Sequence, residues 1–303
     1  MHTEIRKKLV PEFRARRITE LRPSLEMTVA SLLEGLSREQ RPVDLVTCLI
    51  RPAAYGALSH ILGTTVADHV AFDRWSRTFQ GRRTPSAVKR RDGAELMAFM
   101  RRIIAERTGN PCEDLPSRLI GHGFGGVGPK DPASILATIA SGGYETTSSL
   151  ISTGLLALLA HPSQAAALDD AMIASAVQEA ARYVAVIPAL DRIASAEAQV
   201  GGAVVGEGDL VRVSIAATTR DAREFSDADI FDVQRRDLRH LGFGYGSHHC
   251  LGRNIAETLF EIIIRQLFLR FPSISLVEWP SVGRELMNSG SLLHSARRLL
   301  VTW

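Results

Sequence analysis

Residues 243–252 read Phe-Gly-Tyr-Gly-Ser-His-His-Cys-Leu-Gly, a glycine-punctuated loop that offers one cysteine. Gly244, Gly246 and Gly252 carry no Cβ, so the backbone there can turn left-handed and come close to a flat ligand. Cys250 stands just ahead of an apolar-periodic stretch, Leu251 to Phe271, whose spacing predicts a helix. A sulfur at that point meets unpaired backbone N–H groups and the positive end of the helix dipole. Both stabilise a thiolate and favour a metal ligand over a protonated thiol.

Composition removes several function classes. With 303 residues, 45% hydrophobic and 23% charged, the chain can bury a large core. The formal charge of +3 is modest and the basic residues are interspersed with acidic ones, so no nucleic-acid partner is expected. The apolar stretches around Leu150 to Ala160 and Ile262 to Phe268 fall short of the roughly 20 residues that span a bilayer, so no membrane insertion is expected. The opening Met-His-Thr-Glu-Ile-Arg-Lys-Lys has no apolar region behind it, which makes a cytoplasmic location the expectation. Cys48, Cys112 and Cys250 are too few and too irregular for a disulfide framework or a zinc pair, and the first two read as bystanders.

Helical periodicity runs over 18–36, 44–62, 94–106, 133–160, 166–185 and 251–271. Two β-rich runs, Gln199 to Val205 and Leu210 to Ile215, flank Gly206-Glu207-Gly208-Asp209 and predict a hairpin. The polar segment 80–92 reads as a solvated loop. A second loop, Gly121 to Pro132, ends in Asp131-Pro132, a suitable N-cap and first helical residue. No boundary divides two cores, so the expectation is one domain over residues 1–303, mainly α with a minor β portion.

Within 133–160 lies Ala140-Ser-Gly-Gly-Tyr-Glu-Thr-Thr147. Adjacent glycines in mid-helix cost about 0.8 to 1.0 kcal/mol each relative to alanine, so Gly142 and Gly143 read as making room for something. Glu145 and Thr146 follow at once, a carboxylate and a hydroxyl that together can deliver protons. Further on, Glu179 and Arg182 stand three apart and share a helix face.

Position by position, the opening loop matches the signature Phe-Gly-x-Gly-x-His-x-Cys-x-Gly of the cytochrome P450 family, and the chain resembles a soluble bacterial haem-thiolate monooxygenase. The resemblance implies the cytochrome P450 fold, with Cys250 ligating the iron of haem b (iron protoporphyrin IX) and Phe243, Gly244 and Gly252 shaping its cradle. It implies that Gly142 and Gly143 open a groove for dioxygen beside Glu145 and Thr146 as the catalytic acid–alcohol pair. Glu179 and Arg182 take a structural role, buried and bidentate. For the haem propionates it implies Arg192, His248 and, near the chain start, the pair His2 and Arg6. The pocket is expected along Ala137 to Gly142, Ile187 to Leu190, residues 75–90 and Ser289 to Leu292, which favours a hydrophobic small-molecule substrate. Arg235, Arg236, Arg239 and Arg253 are expected to offer a basic patch to a ferredoxin or similar electron donor, and the protein is expected to be a monomer.

The resemblance runs from Met1 to Trp303 but starts in the middle of the family fold, so the expected architecture is N-terminally truncated and Met1 reads as an internal methionine. The alternative reading is a non-catalytic remnant or recruitment domain that keeps the fold without turnover.

Overall fold

The computed structural model describes residues 2–124, 131–236, 238–277 and 292–303; Met1 lies outside them. Helix α1 (His2–Leu9) turns into α2 (Ala15–Leu36), and a short strand β1 (Val43–Asp44) with a π-type turn over Val46–Ile50 leads into α3 (Arg51–Leu62). Then come α4 (His69–Gln80), α5 (Ser86–Gly109), α6 (Leu115–Gly121), the 29-residue α7 (Pro132–Ala160) and the short α8 (Pro162–Ala166). After α9 (Ile173–Val184) the chain forms β2 (Ala189–Ile193), β3 (Ala198–Val200), β4 (Ala203–Val205), β5 (Leu210–Ser214) and one helical turn, α10 (Ile215–Thr218). It closes with α11 (Arg253–Arg270), β6 (Ser275–Leu276) and β7 (Leu300–Thr302).

Helix α7 is the axle of this arrangement because it is apolar on nearly every side. Every residue from Ser148 to Leu159 is buried, and α3, α4, α5, α9 and α11 all pack against it. Its start is fixed as expected: the Asp131 carboxylate accepts from the Ala133 N–H at 3.0 Å, and Pro132 takes the first helical position. Gly154 lets α7 approach its neighbours, since a Cβ there would lie 2.5 Å from the Phe260 ring and 3.1 Å from the Ala180 Cβ. Against α11 lies α2, which buries Ile18, Leu25, Val29, Leu33 and Leu36 along one stripe.

Two sequence expectations are corrected. The predicted hairpin between 199–205 and 210–215 does not form. Gly201 and Gly202 both take positive φ (+55° and +84°), the geometry of a two-residue hairpin turn, so β3 folds back directly onto β4. Strand β5 instead pairs antiparallel with β2, from Ala189 opposite Ser214 to Ile193 opposite Leu210. The segment 80–92 is not all loop either, because α5 starts at Ser86. Asp92 is fully buried and accepts from Thr78 Oγ1 at 2.6 Å, which pins the start of α5 to α4. A third sheet runs in the order β1, β7, β6.

Candidate active site

The cysteine loop is held by its own backbone. Gly244 and Gly246 take φ of +73° and +72°, in the left-handed region that favours glycine. The Gly244 N–H reaches Leu241 O, and the Cys250 N–H reaches Phe243 O, each at 2.8 Å. Helix α11 begins at Arg253 with Gly252 as its N-cap, two residues later than its periodicity predicts. Cys250 therefore sits just outside the helix, next to the Gly252 and Arg253 N–H groups at its start. Burial pushes the Cys250 thiol up, and these N–H groups pull it back towards the thiolate.

Cys250 is exposed, and its sulfur opens onto a cavity of about 740 Å³ between the loop and α7. Gly142, Gly143, Thr146 and Thr147 of α7 form one wall, and Ala57 and Leu58 of α3 extend it. Phe243, Gly244, Gly252, Arg192, His2, Arg6 and His248 also reach the cavity. The His2 and His248 rings stack with centroids 4.0 Å apart, and Arg6 Nη2 donates to His249 O, tying α1 to the loop. A soft sulfur donor, a wall of small residues and two arginines fit a flat, metal-bearing macrocycle with two carboxylates.

Glu145 and Thr146 do not share that wall. Successive helical residues point about 100° apart. Thr146 faces the cavity, with Oγ1 donating to Gly142 O at 2.5 Å. Glu145 turns the other way and is buried, paired with Arg51 at 2.8 and 3.3 Å and accepting from Ser76 Oγ at 2.7 Å. Arg51 also binds Asp73, which accepts from Tyr144 Oη at 3.1 Å, and Tyr144 Oη lies 2.9 Å from His69 Nε2. Burial alone would raise the Asp73 carboxyl, but the charge and hydrogen bond of Arg51, with the Arg77 charge and the Tyr144 hydroxyl, together outweigh it and hold it below the usual range. Burial likewise pushes the Tyr144 phenol up and the His69 imidazole down. Sequence reading missed Arg51 and Asp73. The only signal was an arginine inside the apolar window 44–62.

A family model described as Cytochrome P450 matches residues 170–295. Cytochrome P450-SOY of Streptomyces griseus is 34% identical over 91% of this chain and 68% of its own length. The 6-deoxyerythronolide B hydroxylase of Saccharopolyspora erythraea is 33% identical over 91% of this chain and 69% of its own. The chain belongs to the cytochrome P450 family. Mycinamicin VIII C21 methyl hydroxylase of Micromonospora griseorubida, in its crystal structure with mycinamicin VIII, matches with a TM-score of 0.93 at 27% identity, covering 100% of this chain and 78% of that one. This P450 is thus a haem-dependent oxygenase that acts on a small molecule with dioxygen, and it is shorter than its relatives. Among the described residues, no helix is long and apolar enough to cross a membrane.

Beneath the P450 cysteine loop, Glu179 and Arg182 are fully buried and joined by two 2.7 Å bonds. The remaining Arg182 donors reach Thr219 O, Ala228 O and Ile230 O at 2.7 to 3.1 Å, while the Asp232 N–H binds Glu179 Oε1 at 2.9 Å. The pair thereby fastens the segment that leads into the loop.

Two arginines of the expected basic patch are used inside the protein. Arg235 lies 3.2 Å from Glu179 Oε2 and donates to Ser226 O, and Arg253 binds Glu257 and Gln178. The expected pocket wall is right at Gly142, Ile187 and Leu190, but residues 75–90 and Leu292 do not line the cavity. Residues 289–291 lie outside the described residues.

Proposed function

We propose that this P450 inserts one oxygen atom from dioxygen into a hydrophobic small organic compound, with electrons from a ferredoxin-type donor and residues 1–303 working as one haem-thiolate domain. The observation that carries this reading is the largely apolar cavity of about 740 Å³ with Cys250 and Thr146 both on its wall. Relatives named as hydroxylases, including those of 6-deoxyerythronolide B and mycinamicin VIII, support hydroxylation as the reaction class.

Haem, when bound, supplies one-electron iron chemistry and the activation of dioxygen. Cys250 is the residue that would hold the metal, and the neighbouring Gly252 and Arg253 N–H groups would stabilise its charge. Arg6, Arg192, His2 and His248 are the cavity residues that can pair with carboxylates. Gly142 and Gly143 leave space on the facing wall, where a side chain would otherwise intrude. The Thr146 hydroxyl, released from Gly142 O, can turn and donate a proton into the cavity. Glu145 can replenish that proton only after its carboxylate exchanges Arg51 and Ser76 for water.

The donor is assigned to the Cys250 side of the molecule. Exposed Lys7, Arg14 and Arg236 supply basic charge near α1 and the approach to the loop.

The test is the carbon monoxide difference spectrum of the reduced holoprotein, with Cys250→Ser as control. A thiolate-type Soret band in the wild type, lost in the variant, is the expected result. A wild type without that band overturns the monooxygenase reading in favour of a non-catalytic remnant. Binding spectra across a panel of hydrophobic compounds then narrow the substrate.

A further inference from the structure

The sequence reading did not single out His240, which lies just ahead of the cysteine loop and outside the cavity wall. The Gly242 N–H donates to its Nδ1 at 3.0 Å, so Nδ1 bears no proton and the ring is the Nε2–H tautomer. Nε2 faces Gln178 Oε1 at 3.3 Å. Gln178 belongs to α9, one residue before Glu179. Its Oε1 also accepts from Arg253 Nη2 at 3.0 Å, and its Nε2 donates to Glu257 Oε1 at 2.7 Å. Arg253 Nε donates to that same Glu257 oxygen at 2.5 Å. The orientation of the Gln178 amide follows from the tautomer of His240, with Oε1 towards the His240 Nε2–H and Arg253 and the amide N–H towards Glu257.

The set grips both ends of the loop. At the entrance it holds Gly242, where a Cβ would come within 2.8 Å of both Ala181 O and His240 Nδ1, so the backbone is pressed between α9 and the ring. Phe243, the next residue, accepts the Cys250 N–H. At the exit, Arg253 is the first residue of α11, three residues past Cys250, and its guanidinium lies 5.3 Å from the Phe243 ring centroid.

We propose that neutral His240, clamped to Gln178, is a positioning residue for the Cys250 ligand: it fixes Gly242 and Phe243 so that the sulfur is presented as an iron-ligating thiolate. The proposal rests on the haem-thiolate reading above. An imidazolium could not serve, because its Nδ1–H would oppose the Gly242 N–H. Burial, followed by the charges of Arg253 and Arg182, holds the ring well below the usual histidine range, at about 4, and so keeps it neutral.

The experiment compares reduced, carbon monoxide-bound holoprotein of the wild type, His240→Leu and His240→Gln, with amide hydrogen exchange of the same holoproteins. In His240→Leu the thiolate-type share of the Soret signal is expected to fall at least threefold in favour of the neutral-thiol type. Exchange at Gly242 and Cys250 is expected to rise at least tenfold. His240→Gln, which keeps an acceptor and a donor, should restore most of both. Gln178→Leu attacks the clamp from the other side, should reproduce the spectral change, and takes the place of His240→Leu if that variant does not fold. A wild-type thiolate share in both leucine variants, even with a lowered melting temperature, overturns the proposal while leaving the haem-thiolate reading intact. A wild type with no thiolate band overturns the reading beneath it.

Discussion

Arg51 is the side chain on which the polar wall between α3, α4 and α7 depends. It holds Glu145 and Asp73 together while itself only about an eighth exposed (12%). Removing one member of a buried ion pair strands the other, which typically costs about 3 to 5 kcal/mol. Arg51→Leu is therefore expected to lower stability by that order in denaturant titration, and Arg51→Leu with Glu145→Gln should recover a large part of it. Thr146 answers to a different measurement. Thr146→Ala should leave the Soret band unchanged but lower product formed per electron consumed several-fold, because the hydroxyl on the cavity wall is lost. His240 adds a pH dependence. Held neutral to about 4, it binds fewer protons in the fold than in the unfolded chain between about pH 6.5 and 4. Stability should fall as pH drops through that window, with a slope of up to about 1.4 kcal/mol per pH unit from this group. His240→Gln, measured in the same buffers beside unchanged Arg253, Arg182 and Glu257, should show the shallower slope.

At the scale of single elements, Gly142 and Gly143 differ in what a methyl would meet. A Cβ at Gly142 has nothing within 4 Å and points into open cavity, whereas one at Gly143 comes within 3.3 Å of Leu58 Cδ1. Gly142→Ala is expected to raise the melting temperature, since alanine favours a helix interior by about 0.8 to 1.0 kcal/mol, while slowing carbon monoxide association by narrowing the space over the haem. This contrast also shows what the sequence could and could not tell. The diglycine, the cysteine loop and the Glu179–Arg182 pair were legible because each is a local pattern whose role the family resemblance supplies. The direction of Glu145 was not, since it depends on Arg51 and Ser76, 94 and 69 residues away. The strand pairing was misread for a related reason. Two glycine-bearing turns compete within 199–210, and only the partner strand at 189–193 decides between them.

At the scale of the whole molecule, the strands between α9 and α10 are thinly covered. Ile193, Val200, Val204 and Leu210 are each more than half exposed, on two separate two-stranded sheets. Apolar strands of this kind with open edges invite pairing with another chain. Val204→Lys with Leu210→Lys should lower concentration-dependent light scattering and leave the carbon monoxide spectrum unchanged. Helix α7 leads to a quieter result. Its first half borders the cavity, Glu145 and Tyr144 are tied to α3 and α4 at its middle, and from Ser148 to Leu159 it is buried, with Leu150 alone of these still touching the cavity. One continuous helix should therefore behave as two thermodynamic bodies. Amides before Tyr144 should exchange by small local openings that a bound ligand suppresses. Those beyond Ser148 should exchange only when the whole protein unfolds, whatever the cavity holds.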